Sequence, residues 1–233
     1  MTEPTWKGDG LNQQAREEYW KGKTRFWENL AFKYLPEMRL LFKGGKLWNK
    51  NLQAWRSVVE HSLVEAAVAG VLAEQLHLPA VDRERLVKAA LCHDWDKRLE
   101  KVGRDFTNED RLKAKNLFDR RSPDPSLLEV TRPGFVVRGV EATFLEKLLF
   151  YVDDICQGSQ IVLLKERIAG AQSRSQEAGN NLGIKDYWTK ERKLGVAIES
   201  EIFQKLDEQG VSLTSPESIP MFVKSEVERR YWS

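Results

Sequence analysis

Apolar residues along this 233-residue chain recur almost everywhere at helical spacing, and no stretch alternates convincingly between apolar and polar as a strand would. The pattern predicts an all-α protein. Residues 50–76 are apolar nearly all round, which marks a central helix rather than a surface one; it carries Arg56 near its start, His61, and Glu65 one turn later. Asp82 is the expected N-cap of the next helix, which runs through Leu86, Ala90 and Leu91 to the pair His93-Asp94. Thr107 with Asp110 reads as the capping signal of a polar helix ending near Phe118. Residues 120–139 contain three prolines and two glycines and form the longest expected irregular segment. A helix over 141–157 then carries Asp153, Gly158-Ser159 signals a turn, and a further helix is expected from near Gln160 to about Gln176. Leu194, Ile198, Ile202 and Leu206 repeat every four residues, the stripe of an amphipathic helix stopped by Gly210. The last stretch, SPESIPMFVKSEVERRYWS, predicts a short terminal helix.

Ahead of this series lies an aromatic region. Between residues 12 and 42 the spacing of Trp20, Trp27, Leu30 and Tyr34 fits a helix with one face on a core, broken at Pro36 or Gly44-Gly45. Five of the eight tryptophans precede residue 56, but no basic stripe interleaves them as base stacking on nucleic acid requires. Their expected role is packing. The chain thus divides into an aromatic N-terminal helical extension (1–49), a core (50–170) and C-terminal helices packing on it (171–233).

Composition changes this picture little. The 37 basic and 35 acidic side chains leave a formal charge of +2, which implies no obligate nucleic-acid partner and no membrane surface. Two cysteines cannot build a disulfide framework, and both Cys92 and Cys156 sit in apolar helical context, as small buried thiols of a reducing compartment do. The start, MTEPTWKGDG, lacks the apolar run of a secretory leader, and no apolar run approaches the ~18 residues of a membrane span, so a cytoplasmic location is expected. There is no Walker loop, GxSxG elbow or GxGxxG fingerprint, and no internal repeat.

The candidate chemistry lies where polar residues interrupt apolar helices. His61, the pair His93-Asp94 and Asp153 stand inside WRSVVEHSLVEAAVAGVLAEQL, RLVKAALCHDWDK and LEKLLFYVDDI. A buried charge without a partner costs several kcal/mol, so these side chains must satisfy one another. A shared divalent cation does this; a metal-free hydrogen-bonded network is the alternative. Two imidazoles and two carboxylates suit Mn2+, Fe2+, Co2+, Ni2+ or Zn2+, with Mg2+ also accommodated. Lys97 falls three residues after Asp94 and shares its helical face. Adjacent helical residues diverge by about 100°, so His93 and Asp94 can face one ion only in a groove or near a helix end. The third histidine, His77, precedes Pro79 at a helix end and reads as a surface or capping residue.

The order H…HD…D resembles the HD-domain metal-dependent phosphohydrolase superfamily over roughly residues 52–168. AALCHDWDK resembles the family's AALLHDIGK, with Trp95-Asp96 in place of Ile-Gly; the EHS at His61 resembles its first motif, and LEKLLFYVDDI the segment bearing its last aspartate, matched at Asp153. The resemblance implies a helical bundle in which His61, His93, Asp94 and Asp153 bind the metal and Lys97, with Asp94, serves the chemistry at phosphate. No histidine lies between Asp94 and Asp153, which points to a single-metal member rather than the binuclear phosphodiesterases or di-iron oxygenases. The expected activity is attack of metal-bound water on phosphorus of a nucleotide or other small phosphorylated metabolite. Arg56, Arg132 and Arg138 are candidate phosphate-binding residues, the last two because they flank a Pro-Gly turn in the long loop. A non-catalytic ligand-binding or signalling module on the same scaffold is the alternative, and homodimerisation is open in either case.

Overall fold

The computed structural model describes residues 56–94, 133–138, 141–177 and 186–232, together with Lys33, Leu112, Asn116, Leu127 and Val130. Apart from Lys33, Leu112 and Asn116, the aromatic extension and the Thr107–Phe118 helix lie outside the described residues, as do Lys97 and Arg132. The described elements are α1 (Arg56–Gln75), α2 (Ala80–Cys92), α3 (Pro133–Arg138), α4 (Phe144–Asp154), the strands β1 (Cys156–Gln157) and β2 (Gln160–Ile161), α5 (Leu164–Glu177), α6 (Tyr187–Glu208), a 3-10 turn (Pro216–Ser218) and α7 (Ile219–Val227), which continues as a wider π turn (Glu228–Trp232). The fold is all-α, with one small antiparallel hairpin in which Cys156 pairs with Ile161 and Gln157 with Gln160. Among the described residues no helix is long and apolar enough to cross a membrane.

Helix α1 is the central element that its composition predicts: Leu63, Ala66, Ala67, Val68, Ala69, Val71 and Leu72 are all buried. It packs along α2, against α4 and against α7. The α1–α2 turn ends α1 in a Schellman motif, with His77 N–H bonded to Glu74 O at 3.0 Å and Leu78 N–H to Ala73 O at 2.9 Å. His77 takes the left-handed position at φ 51° and faces solvent, the capping role read from its place in the sequence. Asp82 is not the N-cap of α2. Pro79, extended at φ −52° and ψ 145°, occupies that position, and Asp82 falls in the first turn, where its charge meets the positive end of the helix and Arg85 Nη1 at 3.0 Å.

The expected irregular segment also needs correcting. Pro133 opens α3, as its fixed φ favours at a first helical position, and Phe135 and Val136 bury against the core. Helix α4 is shorter than 141–157. Thr143 caps it in a reciprocal box with Glu146, and it ends at Asp154. The turn signal Gly158-Ser159 closes a hairpin instead of introducing a helix directly: Gly158 takes φ +59° at the first turn position, as a two-residue hairpin of the II′ kind requires, and α5 begins only at Leu164. Strands of two residues are too short to alternate visibly. Helix α6 buries Ile198, Ile202 and Leu206 from the four-residue stripe and stops before Gly210 at φ +81°. It packs on α3, α4 and α5. The C-terminal turns are tied to α1 by Arg230 Nη1 and Glu74 Oε2 at 2.7 Å.

Candidate metal centre

Antiparallel helices joined by a short turn place side chains level when their arms are equal in length. His61 precedes the α1–α2 turn by about as many residues as His93 follows it, so each lies about 20 Å up its own arm at 1.5 Å per residue. The two imidazoles meet edge to face with centroids 5.9 Å apart. His93 is the C-cap of α2 rather than an interior residue, which lets the adjacent Asp94 turn toward the same point. This is the helix-end condition that the HD pair needs. Asp153 arrives from the last turn of α4.

The hydrogen bonds fix which nitrogen each ring turns inward. His61 Nδ1 lies 3.0 Å from Gly158 O, and His93 Nδ1 lies 2.8 Å from Ala90 O. A carbonyl only accepts, so both Nδ1 atoms carry hydrogen, and in the neutral rings both Nε2 atoms carry lone pairs. Those lone pairs face carboxylates. His61 Nε2 is 3.0 Å from Glu65 Oε1, 3.4 Å from Asp153 Oδ1 and 3.8 Å from Asp94 Oδ2. His93 Nε2 is 3.4 Å from Asp94 Oδ1, and Glu65 Oε2 reaches round to His93 Nδ1 at 3.1 Å. His93 Nε2 and both oxygens of Glu65 are buried with no aligned hydrogen bond. Lone pairs aimed at carboxylate oxygens repel unless a proton or a metal cation stands between them.

His61, Glu65, His93 and Asp153 form a buried group that could hold a metal ion: each offers one ligand atom, all within 4.8 Å of one another. The donor set fits the group expected. Backbone acceptors on the outer nitrogens orient imidazoles in metal sites in this way. The C-terminal ends of α2 and α4, with their exposed carbonyl dipoles, both favour positive charge here.

Of the four sequence-derived ligands, His61, His93 and Asp153 belong to this group, and Asp94 stands buried beside both imidazoles at its edge. Glu65 was noticed in the sequence but not assigned. The signal that would have found it is the one used for the others, a charged residue inside an apolar helix, here one turn from His61 on the same face. Arg138 is not at the site: it pairs with Glu146 at 3.4 Å and lies over the Phe135 ring, at the opposite end of α4 from Asp153. Arg56 begins α1, with its side chain outside the described residues.

Arg167 was missed altogether. It comes from α5, directs Nη2 to Asp153 Oδ1 at 3.3 Å and Nε to Cys156 O at 2.7 Å, and is a single letter in a polar helix with no sequence cue. Burial alone would raise the carboxyl of Asp153, but the neighbouring His61 and the Arg167 charge hold it well below the usual range. Burial pushes Glu65 up despite the two histidines, and His93 is raised by Glu65, Asp94 and Asp153 against the effect of its burial. Behind Asp153, Asp154 is pushed well up by burial and by Glu191, and burial takes Glu191 itself to about 7. Cys92 and Cys156 are buried and not joined in a disulfide, as read from their apolar context.

No protein-family model matches the chain, no curated protein matches it, and no solved structure matches it.

Proposed function

We propose that this chain is a metal-dependent phosphohydrolase of the HD type, acting on a nucleotide or another small phosphorylated metabolite. The observation that carries the reading is His93 Nε2, a buried ring nitrogen without a hydrogen-bond partner, facing the Asp94 carboxylate at 3.4 Å. His61, Glu65, His93 and Asp153 would hold one divalent cation, with Mn2+, Fe2+, Co2+, Ni2+ or Zn2+ suited to the mixed donors and Mg2+ also accommodated. Such a cation, when bound, polarises a phosphoryl oxygen and makes water a better nucleophile at neutral pH. Asp94, at the rim of the group, orients the attacking water and accepts its proton. Lys97, three residues further on, supplies positive charge to the phosphate as negative charge develops there. With no Ser or Cys paired to a base in the described site, water attacks phosphorus directly and no phosphoryl-enzyme forms.

The test is a panel of phosphorylated metabolites incubated with metal-loaded protein, followed by hydrolysis of any substrate found in oxygen-18 water. Label is expected in the released phosphate or the phosphorylated product, and Lys97→Ala should keep metal while losing turnover. His77→Ala, at the far end of the α1–α2 turn, should retain both. Full metal occupancy with no turnover of any phosphorylated compound would overturn the hydrolase in favour of a ligand-binding module. Label on the departing alcohol would mean carbon–oxygen cleavage.

A further inference from the structure

We propose that Arg167 is a positioning residue of the cation centre, aligning Asp153 directly and His61 through the hairpin; this rests on the metal reading above. The guanidinium is planar with donors in a fixed fork, so it can serve two acceptors in different directions without bending. One arm, Nη2, reaches Asp153 Oδ1 at 3.3 Å and the other, Nε, reaches Cys156 O at 2.7 Å. These acceptors flank the point where the chain leaves α4 and enters β1. The side chain therefore fixes the carboxylate relative to the hairpin, and the same hairpin presents Gly158 O to His61 Nδ1 at 3.0 Å. Its side chain is only 14% exposed, too enclosed for a simple solvent-facing ion pair.

Charge and positioning predict opposite signs. Removing a positive charge from beside the site should by itself tighten the binding of a cation, whereas loss of alignment should loosen it. Arg167→Met removes the charge and keeps an apolar stem. Arg167→Lys keeps the charge but replaces the rigid planar fork with a single nitrogen, which cannot hold the two acceptors in the same directions. The proposal expects both variants to bind Mn2+ about 10- to 100-fold more weakly than wild type, the usual cost of losing an outer contact to a ligand. It also expects a displaced visible absorption spectrum for bound Co2+, which reports the ligand geometry and does not move with global stability.

Binding is measured by calorimetric titration of metal-free full-length protein, with thermal melts of each variant in chelator. Wild-type affinity and an unchanged Co2+ spectrum in Arg167→Lys would overturn the positioning role while leaving the metal centre standing. Tighter Mn2+ binding by Arg167→Met would also overturn it, showing the arginine to be a competing charge. If wild type itself takes up no Mn2+ or Co2+, the metal reading fails and takes this inference with it. Should either variant melt early, the Co2+ spectrum of its folded form, recorded in the cold, still decides.

Discussion

The two ends of α4 use acidic residues in opposite ways. At its start, Glu146 accepts from Thr143 N and Thr143 Oγ1, both at 2.8 Å, while Arg138 lies 3.4 Å away. Every one of these contacts is local, and the negative charge sits at the positive end of the helix. At its close, Asp153 is half-buried and Asp154 buried at the negative end, where the backbone dipole opposes them, and Asp154 Oδ2 has no hydrogen bond. The first arrangement is complete within the protein. The second is not, and the Glu65–His93 pair beside it shares the defect. A cation held by His61, Glu65, His93 and Asp153 would give a reason for acids gathered at this helix end.

The largest effect should follow from removing a ligand outright. His93→Ala and Asp153→Ala should each take metal content from about one ion per chain to none, measured by elemental analysis of protein purified and reloaded with Mn2+. Chelator should lower the melting temperature of wild type and leave these variants unmoved. Unchanged metal content in both would remove the contrast between the two ends of α4.

Neutralising a buried acid of the cluster sharpens the comparison, because metal-free and metal-loaded protein should respond in opposite senses. Glu65→Gln keeps the shape, removes a buried charge, and gives His61 Nε2 an amide hydrogen to accept across the present 3.0 Å gap. Metal-free protein should gain about 1–3 kcal/mol, the scale of one relieved buried polar group. At about 2–4 °C per kcal/mol for a chain of this size, that is a rise of several degrees in the chelator melt. The stabilisation by Mn2+ should shrink or vanish. A metal-free melt below that of wild type would mean that Glu65 already has its partner without a cation. Such an exchange of stability for function is common where a site is strained.

Much of this was legible in the sequence because burial and chemistry conflict visibly there. The apolar sweep of α1 shows a core helix, and His61 within it shows that something must be paired. The stripe Ile198, Ile202, Leu206 is equally plain. What could not be read depends on where chain ends meet. Arg167 lies in a helix whose letters are ordinary for a surface, and only the hairpin brings it to Asp153. The hairpin itself has two residues per strand, below the length at which a period of two can be seen. Arg138 shows the converse: a basic residue beside a Pro-Gly pair invites a ligand, but an acid one helix turn into α4 claims it. Helix starts differ from expectation beside prolines: Pro79 supplies the cap expected of Asp82, and Pro133, which falls in the expected irregular segment, opens α3.

The smallest effects should come from the satisfied end of α4, and they should leave the metal untouched. Thr143→Ala removes the side-chain acceptor for Glu146 N–H and should cost about 1 kcal/mol, or about 2–4 °C in a thermal melt. Its dependence on pH has a definite sign. Burial works to raise the Glu146 carboxyl, but the two Thr143 hydrogen bonds and the Arg138 charge outweigh it and hold the group below its ordinary 4.5. An acid depressed in the folded state stabilises the fold above its unfolded value and loses that contribution as pH falls through the folded one. Wild type should therefore lose stability relative to Glu146→Gln as pH falls from about 5 toward 3, and the two should run parallel from pH 6 to 8. Melting curves of both proteins in chelator across that range measure it, with Mn2+ affinity at pH 7 as the control. A Glu146→Gln variant that weakened metal binding as much as Glu65→Gln would show that the two ends of α4 act as one unit, and the contrast between them would be lost.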